Sequence, residues 1–267
     1  MSILGKILDN LVDGVKLGPA FPLRHLSGLL FRKYHVTNIK RVGTVHIRPT
    51  SSDAHTFVQV FSKKEYDLSG RGQFLRVTAA YQRILDAGQI PIIIDAGANV
   101  GAASIWFAKQ FPMARVLAVE PDAANAEVCR LNTSSLPNVK VIEAAIGSAC
   151  GRVTLSNPTK QAWAIQTTRS DIGEVTVSTI PELVRDMQKP AKIFVVKIDI
   201  EGFEADLFAN NTQWVDEPEV IMIELHDWLF PGKGTSRNVQ REMATRSFEV
   251  LISGENLIYV RLPHAAA

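Results

Sequence analysis

The chain has little cysteine and almost no net charge, and both shortages exclude classes of protein. Its 267 residues include two cysteines, Cys129 and Cys150, which form no disulfide framework and match no zinc-binding spacing. We therefore expect a reducing compartment, the cytoplasm. The formal net charge is only +2, whereas a partner made of nucleic acid favours a strong basic excess. No nucleic-acid partner is expected.

Long apolar runs are also missing, which argues against a membrane-spanning helix. The weakly charged stretch 88–108 is interrupted by Pro91 and Asp95, and the N-terminal segment carries Asp9 and Asp13 and has no cleavage-like ending. Residues 2–16 and 23–34 have the spacing of amphipathic helices. They are predicted to form a helical cap on the main domain, or else to contact a membrane surface or a partner.

The most informative segment that is present is residues 90–101, with the sequence IPIIIDAGANVG. Its isoleucines favour a buried parallel strand that ends at Asp95. Gly97 and Gly101 remove side chains where a ligand approaches and where a helix packs on the strand. The next residues, AASIWFAKQF, have helical spacing. The segment predicts a strand, a glycine turn and a helix.

Strands and helices alternate after this segment, which predicts a doubly wound α/β sheet. Core strands are expected at 90–95, 115–120, 139–144, 192–198 and 220–225, with helices at 102–111, 123–132, 180–187, 201–210 and 237–245. Residues 248–253 and 257–262 predict a closing antiparallel hairpin, and 151–156 and 174–180 predict added strands. Residues 44–48 and 55–61 predict a hairpin in the N-terminal extension, before a helix at 73–87. Residues 1–87 are taken as the extension and 88–267 as the ligand-binding domain.

Acidic side chains fall where two neighbouring core strands end, the position at which such sheets bind ligands. Asp95 needs a partner because its burial is costly; a ligand ammonium group or backbone N–H groups could supply it, or it could cap the next helix. Glu120 follows the glycine turn by about twenty residues, where a carboxylate accepts hydrogen bonds from ribose hydroxyls.

The glycine turn separates two classes of ligand. A dinucleotide site needs a glycine where Asn99 stands, and Asp95 would repel a pyrophosphate. S-adenosylmethionine, with an ammonium group, a sulfonium and a ribose, suits an acidic site better. A nicotinamide-dependent oxidoreductase remains the alternative enzyme.

Five segments resemble the FkbM-type S-adenosylmethionine-dependent methyltransferases: IDAGANVG, VEPD, AAIG, KIDIEGFEADLF and IMIELH. The resemblance covers residues 44–226 and implies a class I methyltransferase (Rossmann-like) fold that methylates a hydroxyl, often on a sugar or polyketide. It implies that the turn lines the methionine end of the cofactor, that Glu120 holds the ribose, and that Asp199 and Glu201 border the reaction centre. The candidate cofactor-binding residues are Asp95, Gly97, Ala98, Asn99, Gly101, Glu120, Pro121, Ala145 and Asp199.

Candidate catalytic residues lie at the ends of the fourth and fifth core strands. Lys197 and Asp199 share one strand face, where Lys197 could instead neutralise Asp199 or Glu224. Glu224 and His226 have the same spacing, and His226 is predicted to remove the acceptor's proton; it could instead hydrogen-bond a carboxylate.

No tight metal-ligand motif is found, so no metal is predicted. A magnesium or manganese site built from Asp199, Glu224 and His226 stays open.

The acceptor pocket is the least readable part of the sequence. Trp163, Trp228 and Phe230 could stack on a sugar or belong to the core, and the resemblance suggests Tyr66 and Asp53 for a lid. The sequence predicts an O-methyltransferase for a small molecule or glycan, and it leaves a homo-oligomer open. A catalytically silent S-adenosylmethionine-binding or scaffold protein is the alternative from another class.

Overall fold

The computed structural model describes residues 12, 15–18, 34–39, 42–49, 51–156, 166–185, 187 and 190–263. The predicted helices at 2–16 and 23–34 lie largely outside the described residues, and Trp163 lies outside them as well. Within the described part of the chain, no helix combines the length and the apolar character that crossing a membrane requires.

Strands and helices alternate through most of the chain. The strands are β1 (His35–Ile39), β2 (Gly43–Ile47), β3 (Ile90–Ala96), β4 (Arg115–Val119), β5 (Val139–Ile142), β6 (Ala145–Ile146), β7 (Gly151–Ser156), β8 (Gln166–Arg169), β9 (Val175–Ser178), β10 (Ala191–Ile198), β11 (Val220–Glu224), β12 (Phe248–Ser253) and β13 (Asn256–Arg261). The α-helices are α1 (Asp53–Phe57), α2 (Phe74–Asp86), α3 (Ala102–Gln110), α4 (Ala123–Thr133), α5 (Ile180–Arg185), α6 (Glu204–Leu207) and α7 (Arg237–Ala244).

A seven-stranded sheet carries the fold, in the order β12-β13-β11-β10-β3-β4-β5. The five core strands pair in parallel, and β13 runs antiparallel between β11 and β12. The strand order reverses between β3 and β10, and ligands bind at such a reversal, beyond the carboxyl ends of the strands. The predicted doubly wound sheet with a terminal antiparallel hairpin is confirmed.

The isoleucine run of β3 explains why helices cover both faces of the sheet. Ile93 packs into one core, which also contains Phe107 and Phe194. Ile92 and Ile94 pack into the core on the other face, beside Val196. A strand that is buried on both faces does not alternate apolar and polar residues. Its packing on both sides fixes the position of the residues at its carboxyl end.

The hairpin predicted for the N-terminal extension is wrong in one of its two strands. β2 is present, but it pairs with β1, which precedes it. Residues 55–61, predicted as a strand, form α1 and a π-helical turn, Val58–Ser62. The segment satisfies both periodicities, but helical spacing buries Ala54, Phe57 and Val58 together in the core.

A second, four-stranded sheet of order β6-β9-β7-β8 stands beside the carboxyl end of the main sheet. The strands predicted at 151–156 and 174–180 are both found in it, as β7 and β9. The helix predicted at 201–210 is only α6, four residues long, because Glu201 (φ 56°) and Gly202 (φ 95°) adopt left-handed conformations that no helix continues.

Candidate functional site

Two cavities open at the carboxyl end of β3 and β10, and they meet. The first, the glycine-turn cleft, encloses about 530 Å³, the part open to solvent included. The second, the acidic cavity, encloses about 1000 Å³ counted in the same way. Both are lined by Gly97, Asn99, Asp199 and Glu201. These four residues therefore form a junction at which two molecules could touch.

Gly97 is required at the junction by the backbone of the neighbouring strand. Its φ is +76°, and a Cβ atom there would come within 1.7 Å of the carbonyl oxygen of Asp199. Gly101 (φ +85°) faces helix α4 instead, where a Cβ would lie 2.9 Å from the Cys129 sulfur. The glycines thus let β10 and α4 approach the turn, which brings Asp199 against it.

Asp95 lies behind the junction and not in its wall. Its carboxylate has no exposed surface; it accepts a hydrogen bond from the Ser104 hydroxyl at 2.6 Å and is 3.1 Å from the Lys197 ammonium group. Its partners are therefore supplied by the protein. Neither a ligand ammonium group nor the cap of the following helix is needed to explain its burial.

Lys197 ties the glycine turn to β10. Its buried Nζ donates to the carbonyl oxygen of Gly97 at 2.7 Å and lies 3.5 Å from a carboxylate oxygen of Asp199. Burial alone would lower the pKa of Lys197, but Asp95 and Asp199 outweigh it and raise the pKa well above the ordinary value. Lys197 is thus a fixed positive charge that holds the turn in place.

Glu120 lines the glycine-turn cleft. One carboxylate oxygen accepts from the backbone N–H of Asn99 at 2.8 Å, and the other accepts from the backbone N–H of Asp122 at 3.1 Å and from the Asn125 amide at 3.3 Å. Burial raises its pKa to about 7, against the effect of these donors. Asn125 also accepts a hydrogen bond at 2.7 Å from Arg48, which lies just after β2. The N-terminal extension therefore helps to fix Glu120.

His226 is the centre of an acidic cluster below the acidic cavity. The ring is 1% exposed, and its Nδ1 lies 3.0 Å from an oxygen of the buried Glu204. Its Nε2 faces Asp199 and Glu224 at 3.6 Å and Glu201 at 3.5 Å. The sequence pattern placed three of these residues together, whereas Glu204 was not foreseen, although it follows Glu201 by three positions.

The pKa values in the cluster depend on one another. Burial raises the pKa of Glu201 to about 9 and that of Glu224 to about 8, and Asp199 adds to both shifts. Burial would lower the pKa of His226, but the hydrogen bond and charge of Glu204, with Asp199 and Glu201, raise it to about 10. The raised pKa leaves the imidazole mostly protonated at neutral pH, and His226 lines neither of the two cavities. Its position behind their walls is the main reason why the structure does not support His226 as the base.

The acidic cavity has one wall from the main sheet and one from the N-terminal extension. Glu65, Glu224 and Glu255 line it together with the half-exposed Trp228. Tyr66, suggested for a lid, lies in this wall but is 6% exposed and packs on Phe107 at 5.6 Å between ring centroids.

The other two residues suggested for the acceptor pocket lie elsewhere. Asp53 is buried in an ion pair with Arg48. The Phe230 ring is the nearest neighbour of Gly202, 2.2 Å from where a Cβ atom would stand.

The predicted site residues are brought together with few exceptions. The glycine-turn cleft is lined by the predicted residues Gly97, Asn99, Glu120, Pro121, Ala145 and Asp199, and the acidic cavity by Ala98, Lys197, Asp199 and Glu224. Asp95, Gly101 and His226 support these walls from behind. Asn125, Thr167 and Phe203 also line the cleft. Thr167 comes from the added sheet, and no sequence signal pointed to it.

Residues 95–249 match the model of a family described as the methyltransferase FkbM domain. The chain is 26% identical over 165 residues to the 2-O-methyltransferase NoeI of Sinorhizobium fredii, covering 54% of this chain and 67% of that protein. It is 24% identical over 183 residues to the hexuronic acid methyltransferase AglP of Haloferax volcanii, covering 67% and 72%. A solved structure of a putative O-methyltransferase from Klebsiella pneumoniae superposes with a TM-score of 0.41 at 13% identity, covering 78% of this chain and 90% of that one.

Proposed function

Because the chain belongs to the FkbM methyltransferase domain family, which makes it an S-adenosylmethionine-dependent methyltransferase, we propose that it methylates a hydroxyl group of a sugar, a glycan or a secondary metabolite. One observation carries the proposal: two cavities of different character meet at Gly97, Asn99, Asp199 and Glu201. Methyl transfer needs two substrates in contact at one point, and the junction offers that contact.

The glycine-turn cleft fits the cofactor. Glu120 offers carboxylate oxygens in the cleft wall for the ribose hydroxyls, and the small residues Ala144 and Ala145 leave room beside it. Gly97 and Asn99 reach the junction, where the methionine end belongs. When bound, S-adenosylmethionine supplies a methyl group on a positively charged sulfur, which an oxygen nucleophile can take.

The acceptor's hydroxyl proton must go to a base at the junction, and we assign the ionised form of Glu201, which its pKa of about 9 makes the minor form at neutral pH. It lines both cavities, and its Oε2 accepts no hydrogen bond from the described residues. Its left-handed backbone (φ 56°) is an observed outlier of the kind found at functional sites. The proton passes to Glu201 as the acceptor oxygen bonds to the methyl carbon, and the electron pair of the broken carbon–sulfur bond stays on sulfur.

The acidic cavity selects for acceptors rich in hydroxyl groups. The carboxylates of Glu65, Glu224 and Glu255 accept hydrogen bonds, and a sugar offers many donors. The indole of Trp228, 58% exposed in this wall, provides a face on which a sugar ring can stack. The relative AglP, which is named for a hexuronic acid acceptor, agrees with this choice, and NoeI is named for methylation of an oxygen. We place the reaction in the cytoplasm, where both free cysteines stay reduced.

Calorimetry with S-adenosylmethionine tests the proposal through Glu120. We expect the wild type to bind, and Glu120→Gln to bind roughly 10- to 100-fold more weakly, because hydrogen bonds to a charged group contribute about 1.5–3 kcal/mol. The wild type should also bind about tenfold more weakly at pH 6 than at pH 8, since the ribose needs the ionised carboxylate and the pKa of Glu120 is about 7.

Glu120→Gln is also the control for titration of the ligand itself, because any pH dependence that it retains does not come from Glu120. Absence of S-adenosylmethionine binding in the wild type would refute the proposed function. If S-adenosylmethionine binds but no labelled methyl group is transferred to any sugar or glycan acceptor, the result supports the alternative, a catalytically silent S-adenosylmethionine-binding protein.

Arg48→Lys should weaken cofactor binding about two- to tenfold, although Arg48 lies in the extension. Lysine can keep the ion pair with Asp53, but it cannot also donate to Asn125 in the geometry of the guanidinium group, which holds Asn125 toward Glu120. The loss of one hydrogen bond corresponds to about 0.5–1.5 kcal/mol. The dissociation constant at pH 8 measures it, and Arg130→Lys, on an exposed ion pair, should bind normally. Equal affinities of both variants would contradict the proposed link from Arg48 through Asn125 to Glu120.

A further inference from the structure

We propose that Asp199, Glu224 and His226 bind a divalent transition-metal ion such as Mn²⁺, and that this ion holds the hydroxyl oxygen of the acceptor at the junction. The inference rests on the proposed function, since it completes the same site. The sequence has no tight ligand motif, so no metal is predicted from it, although a magnesium or manganese site built from these three residues is left open there. The structure brings the three side chains together.

The distances fit a shared ion better than direct contacts. One ligand atom from each of the three residues lies within 4.8 Å of the others, and His226 Nε2 is 3.6 Å from both Asp199 and Glu224. These separations are too long for hydrogen bonds. Metal–ligand bonds of about 2.0–2.2 Å place neighbouring ligand atoms roughly 3–3.6 Å apart.

His226 is held as a metal-binding histidine is held. Its side chain is only 1% exposed. Among the described residues, Nε2 has no partner at hydrogen-bond geometry. Its other nitrogen, Nδ1, is fixed by Glu204, which is also 1% exposed. A ligating histidine normally gives its second ring nitrogen to a carboxylate in this way, which aims the first one at the ion.

A second buried polar group, Asn256, lies next to the cluster. It is 1% exposed, and neither polar atom of its side chain has a hydrogen-bond partner among the residues that the structure describes. It stands directly opposite Glu224 in the β11–β13 pairing, so that the two side chains share one face of the sheet. Water molecules bound to an ion at Glu224 would serve as hydrogen-bond partners for the Asn256 amide.

The charge of the cluster calls for a cation. Asp199, Glu201, Glu204 and Glu224 surround one imidazole, and Lys197, which also binds Asp95 and the glycine turn, forms an ion pair with only Asp199 among them. Carboxylates that are buried without counterions are costly. A donor set of two carboxylates and one imidazole suits manganese and its neighbours better than calcium.

The ion also explains how an acidic cavity can activate an alcohol. A cation at this position binds the acceptor oxygen as a further ligand and makes its proton easier to remove. Glu201, which is not one of the three ligands, remains available to take that proton. Acceptors with two adjacent oxygens, such as a sugar diol, could bind the same ion twice.

Manganese binding by the full chain, freed of metal with a chelator, tests the inference. We expect Mn²⁺ alone to bind at one site, measured by calorimetry and by the loss of its free-ion electron paramagnetic resonance signal. Asp199→Asn and Glu224→Gln should weaken binding at least tenfold. Glu204→Gln, which contacts His226 and the backbone N–H of Ile200 but not the ion, should weaken it about 10- to 100-fold. Glu143→Gln makes the same change in an exposed ion pair and should bind like the wild type.

Each failure is separable from a failure of the proposed function, because S-adenosylmethionine binding is measured on the same samples. Absence of Mn²⁺ binding, or binding that Asp199→Asn and Glu224→Gln leave unchanged, overturns the metal site even if the cofactor binds. If Mn²⁺ binding depends on these residues but S-adenosylmethionine does not bind, the metal site is supported and the proposed methyltransferase function is refuted. Unfolding curves of each variant show that the fold is retained.

Discussion

Glu201→Gln should lower kcat by about 10²- to 10⁴-fold, which is the contribution of a positioned general base. Glutamine preserves the shape of the side chain but cannot take a proton. The residue sits where both cavities meet, so the loss should appear in the chemical step. Transfer of a labelled methyl group to an identified acceptor, measured with both substrates saturating, gives the value.

The same variant should bind S-adenosylmethionine with nearly the affinity of the wild type, because Glu120 and not Glu201 holds the ribose. Glu143→Gln should leave both the affinity and kcat unchanged. A Glu201→Gln enzyme with full turnover would contradict the assignment and return the role of base to Asp199 at the junction or to a metal-free His226 behind it.

The fold could be predicted from the sequence because its signals are local. The isoleucine run of β3 and the strand–helix alternation are each readable within a window of about ten residues. The one strand that was misread, residues 55–61, shows the limit. Its apolar residues fit a strand and a helix equally, and burial against Phe107 and its neighbours, which are distant in sequence, decides for the helix.

The site was predictable where function follows strand ends and unpredictable where it depends on pairing across the sheet. Asp199, Glu224 and His226 could be placed together because β10 and β11 are parallel neighbours. Asn256 reaches Glu224 only through the register of β13, and Thr167 reaches the cleft from a separate sheet. Asp95 was placed at the correct strand end, yet its partner could not be read, because Lys197 lies on another strand.

The buried ion pair between Asp95 and Lys197 leads to a second prediction with a large expected effect, which concerns the stability of the fold. Asp95→Ala should lower the free energy of unfolding by about 3–5 kcal/mol, because it leaves Lys197, 3% exposed, without its nearest counterion in the core. Urea unfolding followed by circular dichroism measures the change. Replacing both members by apolar residues, Asp95→Leu with Lys197→Met, should recover much of the loss, since no buried charge then remains unpaired.

The double variant separates two roles of Asp95, the cofactor contact predicted from the sequence and the ion pair with Lys197 found in the structure. If the carboxylate holds the cofactor directly, Asp95→Ala should abolish S-adenosylmethionine binding while stability is largely kept. If it holds Lys197, and through it the carbonyl oxygen of Gly97, stability falls first, and the two substitutions interact strongly in a double-mutant cycle. We expect the second result, because a side chain with no exposed surface, bound to Ser104 and Lys197, can act on the cofactor only through the turn that it supports.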